Sequence, residues 1–139
     1  MPMTIASDQV GGPEPVTVLR LTGELDASNF EALIETVTAA YAGGARGLVL
    51  DLSELTFMAS SGLVALYAAE RIFRGQPAPD LESGWQVFHD MGAESGHVTN
   101  VRLVGTQAAV QRVLDRTGLS RLFATDASVE AAVDGIRGG

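Results

Sequence analysis

The sequence predicts a single α/β domain: a mixed, mostly parallel sheet of four or five strands, flanked by about four helices. Short apolar, β-branched runs alternate with longer segments whose apolar residues recur at helical spacing. This alternation is typical of parallel sheets covered by helices. The 139 residues are 46% hydrophobic and 19% charged, so the chain can bury one core and is expected to form one domain over 1–139.

The first elements predict a β-hairpin followed by a helix. A weak strand candidate at 3–10 and the run VTVLRL at 16–21 are separated by a Gly-Gly-Pro turn, which favours antiparallel pairing. Apolar residues then recur at helical spacing from Phe30 to Tyr41, which predicts the first helix. Ser28 and Glu31 match a capping box at the start of this helix, and Gly43–Gly44 supplies its stop.

The rest of the chain continues the alternation of strands and helices, with one interruption. The interruption is the segment 75–100, which is longer than an ordinary connection and is interpreted as an insertion. The other predicted elements are a strand buried on both faces at 47–52, a helix at 60–74, a strand at 101–105, a helix at 107–117 that stops at Gly118, an edge strand at 122–123, and a helix starting near Asp126 or Ser128.

Charge and composition exclude several classes of function. The formal net charge is −8, and all nine basic residues are arginines, so nucleic-acid binding is not expected. Without lysine the chain cannot form a P-loop or a Schiff base. It has no cysteine, no apolar run near the roughly 20 residues of a membrane span, and no secretion signal, so a soluble, cytoplasmic protein is expected.

The stretch Leu52–Gly62, LSELTFMASSG, is the most informative motif. A buried strand ends, and two serines then open a helix directly before Gly62. Unpaired N–H groups and a positive partial charge at a helix start would stabilise an anion on a serine there, and Gly62 would let another backbone approach. The alternative interpretation is that Ser60 merely caps the helix.

The turn at 22–26 (TGELD) is the second candidate site. Segments that follow neighbouring parallel strands gather at one edge of a sheet, where ligands usually bind. Asp26 is therefore expected to lie near Ser60 and Ser61. The alternative is again local, since Asp26 could serve only to satisfy an N–H group of the turn or helix.

No metal, cofactor or enzymatic activity is predicted. His89 and His97, the two histidines, lie in the insertion at a spacing that is not typical of zinc sites. A small serine hydrolase using Ser60 or Ser61 is the remaining enzymatic interpretation. It is disfavoured because Ala59 stands where the first glycine of G-x-S-x-G would fall, and because no histidine lies near the end of the chain.

Three segments resemble the STAS domain of bacterial anti-sigma factor antagonists. They are LRLTGELDASNFEAL, LVLDLSELTFMASSGLVAL and LVGTQAAVQRVLDRTGLSRLF. The second is the specific one, because it is similar to the family signature F-M-D-S-S-G-L. The resemblance extends over nearly the whole chain and implies a STAS-like fold. Two departures are Ala59 in place of the signature aspartate and the insertion at 75–100.

The resemblance also implies a regulatory cycle. The serine before the glycine is Ser61, with Ser60 as runner-up, and in this family it is phosphorylated by a serine kinase that is also the anti-sigma factor. The unmodified antagonist captures that kinase and frees a sigma factor, phosphorylation reverses the capture, and a serine phosphatase resets the cycle. The implied partner-binding residues are Asp26, Met58, Ser60, Ser61 and Gly62. The alternative is a STAS scaffold or ligand-sensing subunit without serine phosphorylation.

Overall fold

A five-stranded sheet forms the centre of the fold. The computed structural model describes residues 3–12, 14–76 and 98–138. The strands are β1 (Thr4–Val10), β2 (Val16–Leu25), β3 (Gly47–Met58), β4 (Val98–Val104) and β5 (Phe123–Asp126). The helices are α1 (Phe30–Ala42), α2 (Ser60–Phe73), α3 (Ala108–Thr117) and α4 (Val129–Gly138), with a 3₁₀ turn at Leu119–Leu122.

The strands lie side by side in the order β1-β2-β3-β4-β5. β1 pairs with β2 antiparallel, and the other three pairs are parallel. The prediction of a single α/β domain with a mixed, mostly parallel sheet and four helices is confirmed, as is the N-terminal hairpin.

Both faces of the sheet are covered, which explains the apolar character of the central strands. Apolar side chains of α1, α2 and α3 share one core cluster with Leu48 and Leu50 of β3. On the other face, Val49 packs in a second cluster with Ala132 and Val133 of α4. The prediction that 47–52 is buried on both faces is therefore confirmed.

β2 and β3 both continue beyond their predicted ends. β2 continues to Leu25 instead of ending at 21, and β3 continues to Met58 instead of ending at 52. The parallel pairing has two register shifts, between Arg20 and Thr22 and between Gly23 and Glu24, where β3 contributes an extra residue. These bulges disrupt the alternation of apolar and polar residues that indicates a strand. The polar segment after residue 52 was therefore predicted to be a loop.

The C-terminal elements follow the prediction closely. α3 ends at Gly118, which has a left-handed backbone with φ of 78°. β5 runs from Phe123 to Asp126, longer than the predicted pair of residues. Ser128 accepts a hydrogen bond from the Ala131 N–H at 3.1 Å, which agrees with a start of α4 near Ser128.

Most of the predicted insertion, together with His89 and His97, lies outside the described residues. Within the described residues, no helix combines the length and hydrophobicity needed to cross a bilayer.

Candidate functional site

The candidate site lies where β2 and β3 end side by side. Leu25 and Met58, the last residues of the two strands, are paired in register. The Ala59 N–H continues this pairing by donating to the Leu25 carbonyl at 2.9 Å. Asp26 and Ser60 therefore follow adjacent strands at the same edge of the sheet, as predicted.

The Asp26 turn is held by its own side chains. The Asp26 carboxylate accepts hydrogen bonds from the Ser28 hydroxyl at 2.6 Å and from the Ser28 N–H at 2.9 Å. The Asn29 side chain accepts from the Asp26 N–H and donates to the Glu24 carbonyl. Asp26 therefore satisfies an N–H group of its own turn, as the alternative interpretation proposed. The residue is also partly exposed, so a partner could still contact it.

These contacts correct the predicted capping box. α1 begins after Asn29, which makes no side-chain cap, and the Ser28 hydroxyl is bound to Asp26 instead of a helix N–H. The Ser28 hydroxyl donates to this carboxylate, whereas in a capping box it would accept a helix N–H; the box does not form because Asn29 and not Ser28 occupies the N-cap position. The hydrogen bonds from Ser28, first its hydroxyl and then its N–H, lower the pKa of Asp26, so this edge of the sheet carries a fixed negative charge.

Helix α2 starts without a side-chain cap. Ala59 occupies the N-cap position with an extended backbone, at φ −82° and ψ 171°, and Ser60 is the first helical residue. The alternative interpretation of Ser60 as the cap is therefore wrong. Ser60 is exposed at the mouth of the helix.

Ser61, the predicted phosphorylation site, has its hydroxyl turned inward. The residue is partly exposed, but its Oγ is buried and makes no hydrogen bond within the described part of the chain. A buried hydroxyl without a partner costs about 1–3 kcal/mol. No hydrogen bond therefore holds the hydroxyl inward, and rotating it to the surface would relieve that cost.

Met58 and Gly62 support the site from beneath. Met58 is only 2% exposed. Gly62 is buried, and a Cβ placed on it would lie 2.6 Å from Met58 Cγ and 3.0 Å from Leu25 Cγ. The close approach predicted at Gly62 is thus made within the domain, where it determines how α2 packs against the ends of the strands.

Phe57 is a surface residue that the sequence analysis missed. It is 47% exposed, and among the described residues no other large apolar side chain is exposed. Its register partner is Glu24, and its neighbour Met58 points into the core. Side chains alternate between the two faces of a strand, so a buried Met58 would have placed Phe57 on the surface. The strand had been predicted to end at residue 52, so this alternation was not applied to Phe57.

The described residues contain no group of three or more His, Cys, Asp or Glu side chains that could hold a metal ion. Both histidines lie outside that part of the chain, so neither can be placed relative to Ser60 or Ser61.

A family model described as "Mlab, STAS domain" matches residues 9–78, just over half of the chain. The chain belongs to the STAS domain family. The match includes β2, α1, β3 and α2, the elements that build the candidate site. Among curated proteins, none matches the sequence significantly.

Solved structures share the fold of this STAS domain. An anti-sigma factor antagonist from Mycobacterium paratuberculosis is 23% identical with a TM-score of 0.66, and 96% of this chain and 95% of that chain are covered. The anti-sigma factor antagonist SpoIIAA in its unphosphorylated form is 21% identical with a TM-score of 0.67, covering 96% and 98%. The Bacillus cell fate determinant SpoIIAA in its phosphorylated form is 21% identical with a TM-score of 0.59, covering 95% and 100%.

The uncapped start of α2 leads to a prediction for Ala59. Replacing Ala59 with aspartate should raise the free energy of unfolding by about 1 kcal/mol, because an N-cap carboxylate accepts a free N–H and favours the helix dipole. Urea unfolding at neutral pH measures the change. Ala39→Asp, at an exposed position in the second half of α1, is the control and should give no stabilisation. An equal gain in both variants would contradict the capping explanation.

Proposed function

We propose that this STAS domain is an anti-sigma factor antagonist that acts by binding and not by catalysis. Its unmodified form captures an anti-sigma factor serine kinase and releases a sigma factor, and phosphorylation of Ser61 ends the capture. The observation that carries the proposal is the pair of serines at the uncapped mouth of α2, beside the ionised Asp26 at the same sheet edge.

Phosphorylation at this position is compatible with the fold. A phosphoserine carries roughly −1.5 to −2 charges near neutral pH. Free N–H groups at a helix start favour an anion, and no side chain among the described residues is seen to cap α2. The phosphorylated domain is therefore expected to keep its structure.

The same phosphate would disrupt docking. In an interface it must lose water, and it would share the same edge of the sheet with the ionised Asp26, which repels it. A penalty of about 3 kcal/mol weakens binding around a hundredfold, which is sufficient for a switch without refolding.

The kinase must reach a hydroxyl that is buried in the free domain. Because the Ser61 Oγ has no hydrogen bond among the described residues, rotation about its side chain breaks none. The exposed Ser60 is the neighbouring hydroxyl and the runner-up acceptor. A kinase that binds the edge of the sheet would select the outward rotamer of Ser61.

The solved structures support the proposal by analogy. SpoIIAA, which shares this fold, has been determined in unphosphorylated and phosphorylated forms. The partners proposed here are an anti-sigma factor serine kinase and a serine phosphatase, in the cytoplasm.

A second candidate function is a STAS scaffold or ligand-sensing subunit that is not phosphorylated. Two observations favour it. Ala59 replaces the acid of the signature, and the Ser61 hydroxyl lies inward.

Phosphate mapping tests the proposal. The protein is incubated with ATP and each anti-sigma-type kinase of the same genome, and modified peptides are located by mass spectrometry. Phosphate on Ser61 that is lost in Ser61→Ala but retained in Ser60→Ala is the expected result. Phosphate on Ser60 alone would show that Ser60, and not Ser61, is the regulated serine. No phosphate with any kinase would favour the scaffold function.

A further inference from the structure

We propose that Phe57 is the apolar anchor of the docking surface, and that the partner presents an apolar pocket bordered by arginine or lysine. The inference rests on the proposed function and identifies the chemistry of the partner's surface. It begins from one observation: among the described residues, Phe57 is the only large apolar side chain exposed to solvent, and it lies three residues before Ser60.

Phe57 is presented by rigid structure. It lies inside β3, with its backbone in register with Glu24 of β2. Its neighbours Leu55 and Met58 are buried in the core. An aromatic ring held on a strand loses little conformational entropy on binding, and such rings are frequent among the residues that dominate binding energy.

The surroundings of Phe57 are acidic. The stretches 21–45 and 47–70, which contain the ends of β2 and β3 and the starts of the helices that follow them, have no basic residue. Arg20, the basic residue that precedes them, pairs with Asp51 at 3.1 Å. Carboxylates at this edge belong to Glu24, Asp26, Glu31 and Glu54.

Charge complementarity therefore indicates which kind of partner binds the surface around Phe57. A basic border on the partner would attract this edge and orient the encounter. A second copy of the chain would bring the same carboxylates together, so self-association through Phe57 is disfavoured. The occupant is thus a different protein with a basic rim around an apolar pocket.

This arrangement also explains why a phosphate would be costly at the interface. The chain continues from Phe57 through Met58 and Ala59 directly into the two serines. A partner docked on both Phe57 and the start of α2 would exclude water from this region. A phosphate there would be desolvated near the centre of the contact, whereas the basic groups of the partner border its rim.

Binding of purified anti-sigma-type kinase to unmodified protein tests the anchor. Phe57→Ala should weaken binding about 30-fold or more, as expected for a hot-spot aromatic residue. Phe57→Leu, which keeps an apolar side chain, should remain within about fivefold of the original affinity. The melting temperatures of both variants should stay close to that of the unchanged protein, because Phe57 is half-exposed.

The charge argument is tested in the same assay. Glu54→Arg should slow association about tenfold at low salt, and the difference should shrink as ionic strength rises. Asp8→Arg makes the same change of charge at an exposed position on β1 opposite Val18, away from this surface, and is the control, with a smaller effect expected.

The outcomes separate the anchor from the wider proposal. If the unmodified protein binds no kinase, the proposed function fails and the anchor fails with it. If it binds and Phe57→Ala binds equally well, only the anchor is refuted. A dimer that dissociates on Phe57→Ala in light scattering would show that a second copy occupies the surface, which also overturns the inference.

Discussion

Replacing Ser61 with aspartate should weaken capture of the anti-sigma factor kinase about a hundredfold, equivalent to about 3 kcal/mol. A carboxylate cannot remain in the buried, unbonded position of the Ser61 Oγ, so the new side chain turns toward the surface. There it adds negative charge next to Asp26, in the region that the partner must desolvate. The fold is retained because the added charge lies at the start of a helix.

Titration calorimetry with the purified kinase measures this effect. Ser61→Ala removes the hydroxyl without adding charge and should bind about as tightly as the unchanged protein. Ser7→Asp, at an exposed position on β1, adds the same charge away from the site and should also bind normally. Full-strength binding by Ser61→Asp would rule out an electrostatic switch at this position.

Replacing Asp51 with asparagine should lower the free energy of unfolding by about 2 kcal/mol at neutral pH, as expected for charge-assisted hydrogen bonds lost by a buried group. Asp51 is buried in β3 and accepts hydrogen bonds from Arg20 Nε at 3.1 Å, the Ser53 N–H at 3.0 Å and Ser53 Oγ at 2.7 Å. The bond from Arg20 joins β2 to β3 just before the first bulge, and the two bonds from Ser53 lie within β3. They thereby help to hold the strand ends that carry the candidate site.

The Asp51 contribution should also depend on pH. Burial alone would raise the pKa of Asp51, but the hydrogen bonds from Ser53 and Arg20 outweigh it and hold the pKa below its ordinary value. A carboxyl whose pKa is lowered by folding adds stability above its unfolded pKa of about 3.9, and that stability is lost as pH falls through the folded value.

Urea unfolding from pH 7 to pH 2.5 tests this dependence. The difference between the unchanged protein and Asp51→Asn should be constant above about pH 5 and should decrease below about pH 4. Asp8→Asn, at an exposed position on β1, is the control and should cost little. A difference that grows on acidification would contradict the assigned hydrogen bonds.

The fold could be predicted because its strands and helices have distinct apolar periods. The run at 47–52 is apolar on both faces, and the structure covers both. The ends of β2 and β3 could not be predicted in the same way. Their two register shifts place polar residues where alternation would require apolar ones, so the strand resembles a loop.

The candidate site was predicted in position but not in detail. Asp26 and Ser60 could be assigned to one edge because parallel neighbouring strands end together. The direction of the Ser61 hydroxyl depends on side-chain packing that no local pattern encodes. The capping box was wrong because α1 begins one residue later than its pattern requires, with Asn29 and not Ser28 at the N-cap position.

In the proposed switch, the charge at the mouth of α2 controls docking. The direct measurement is the affinity of one kinase for two preparations of this protein: one unmodified and one carrying a single phosphate on Ser61. A roughly hundredfold weaker affinity for the phosphorylated preparation, with an unchanged circular dichroism spectrum, is the predicted result. Equal affinities would contradict it, because the phosphate would then lie outside the contact that the partner makes.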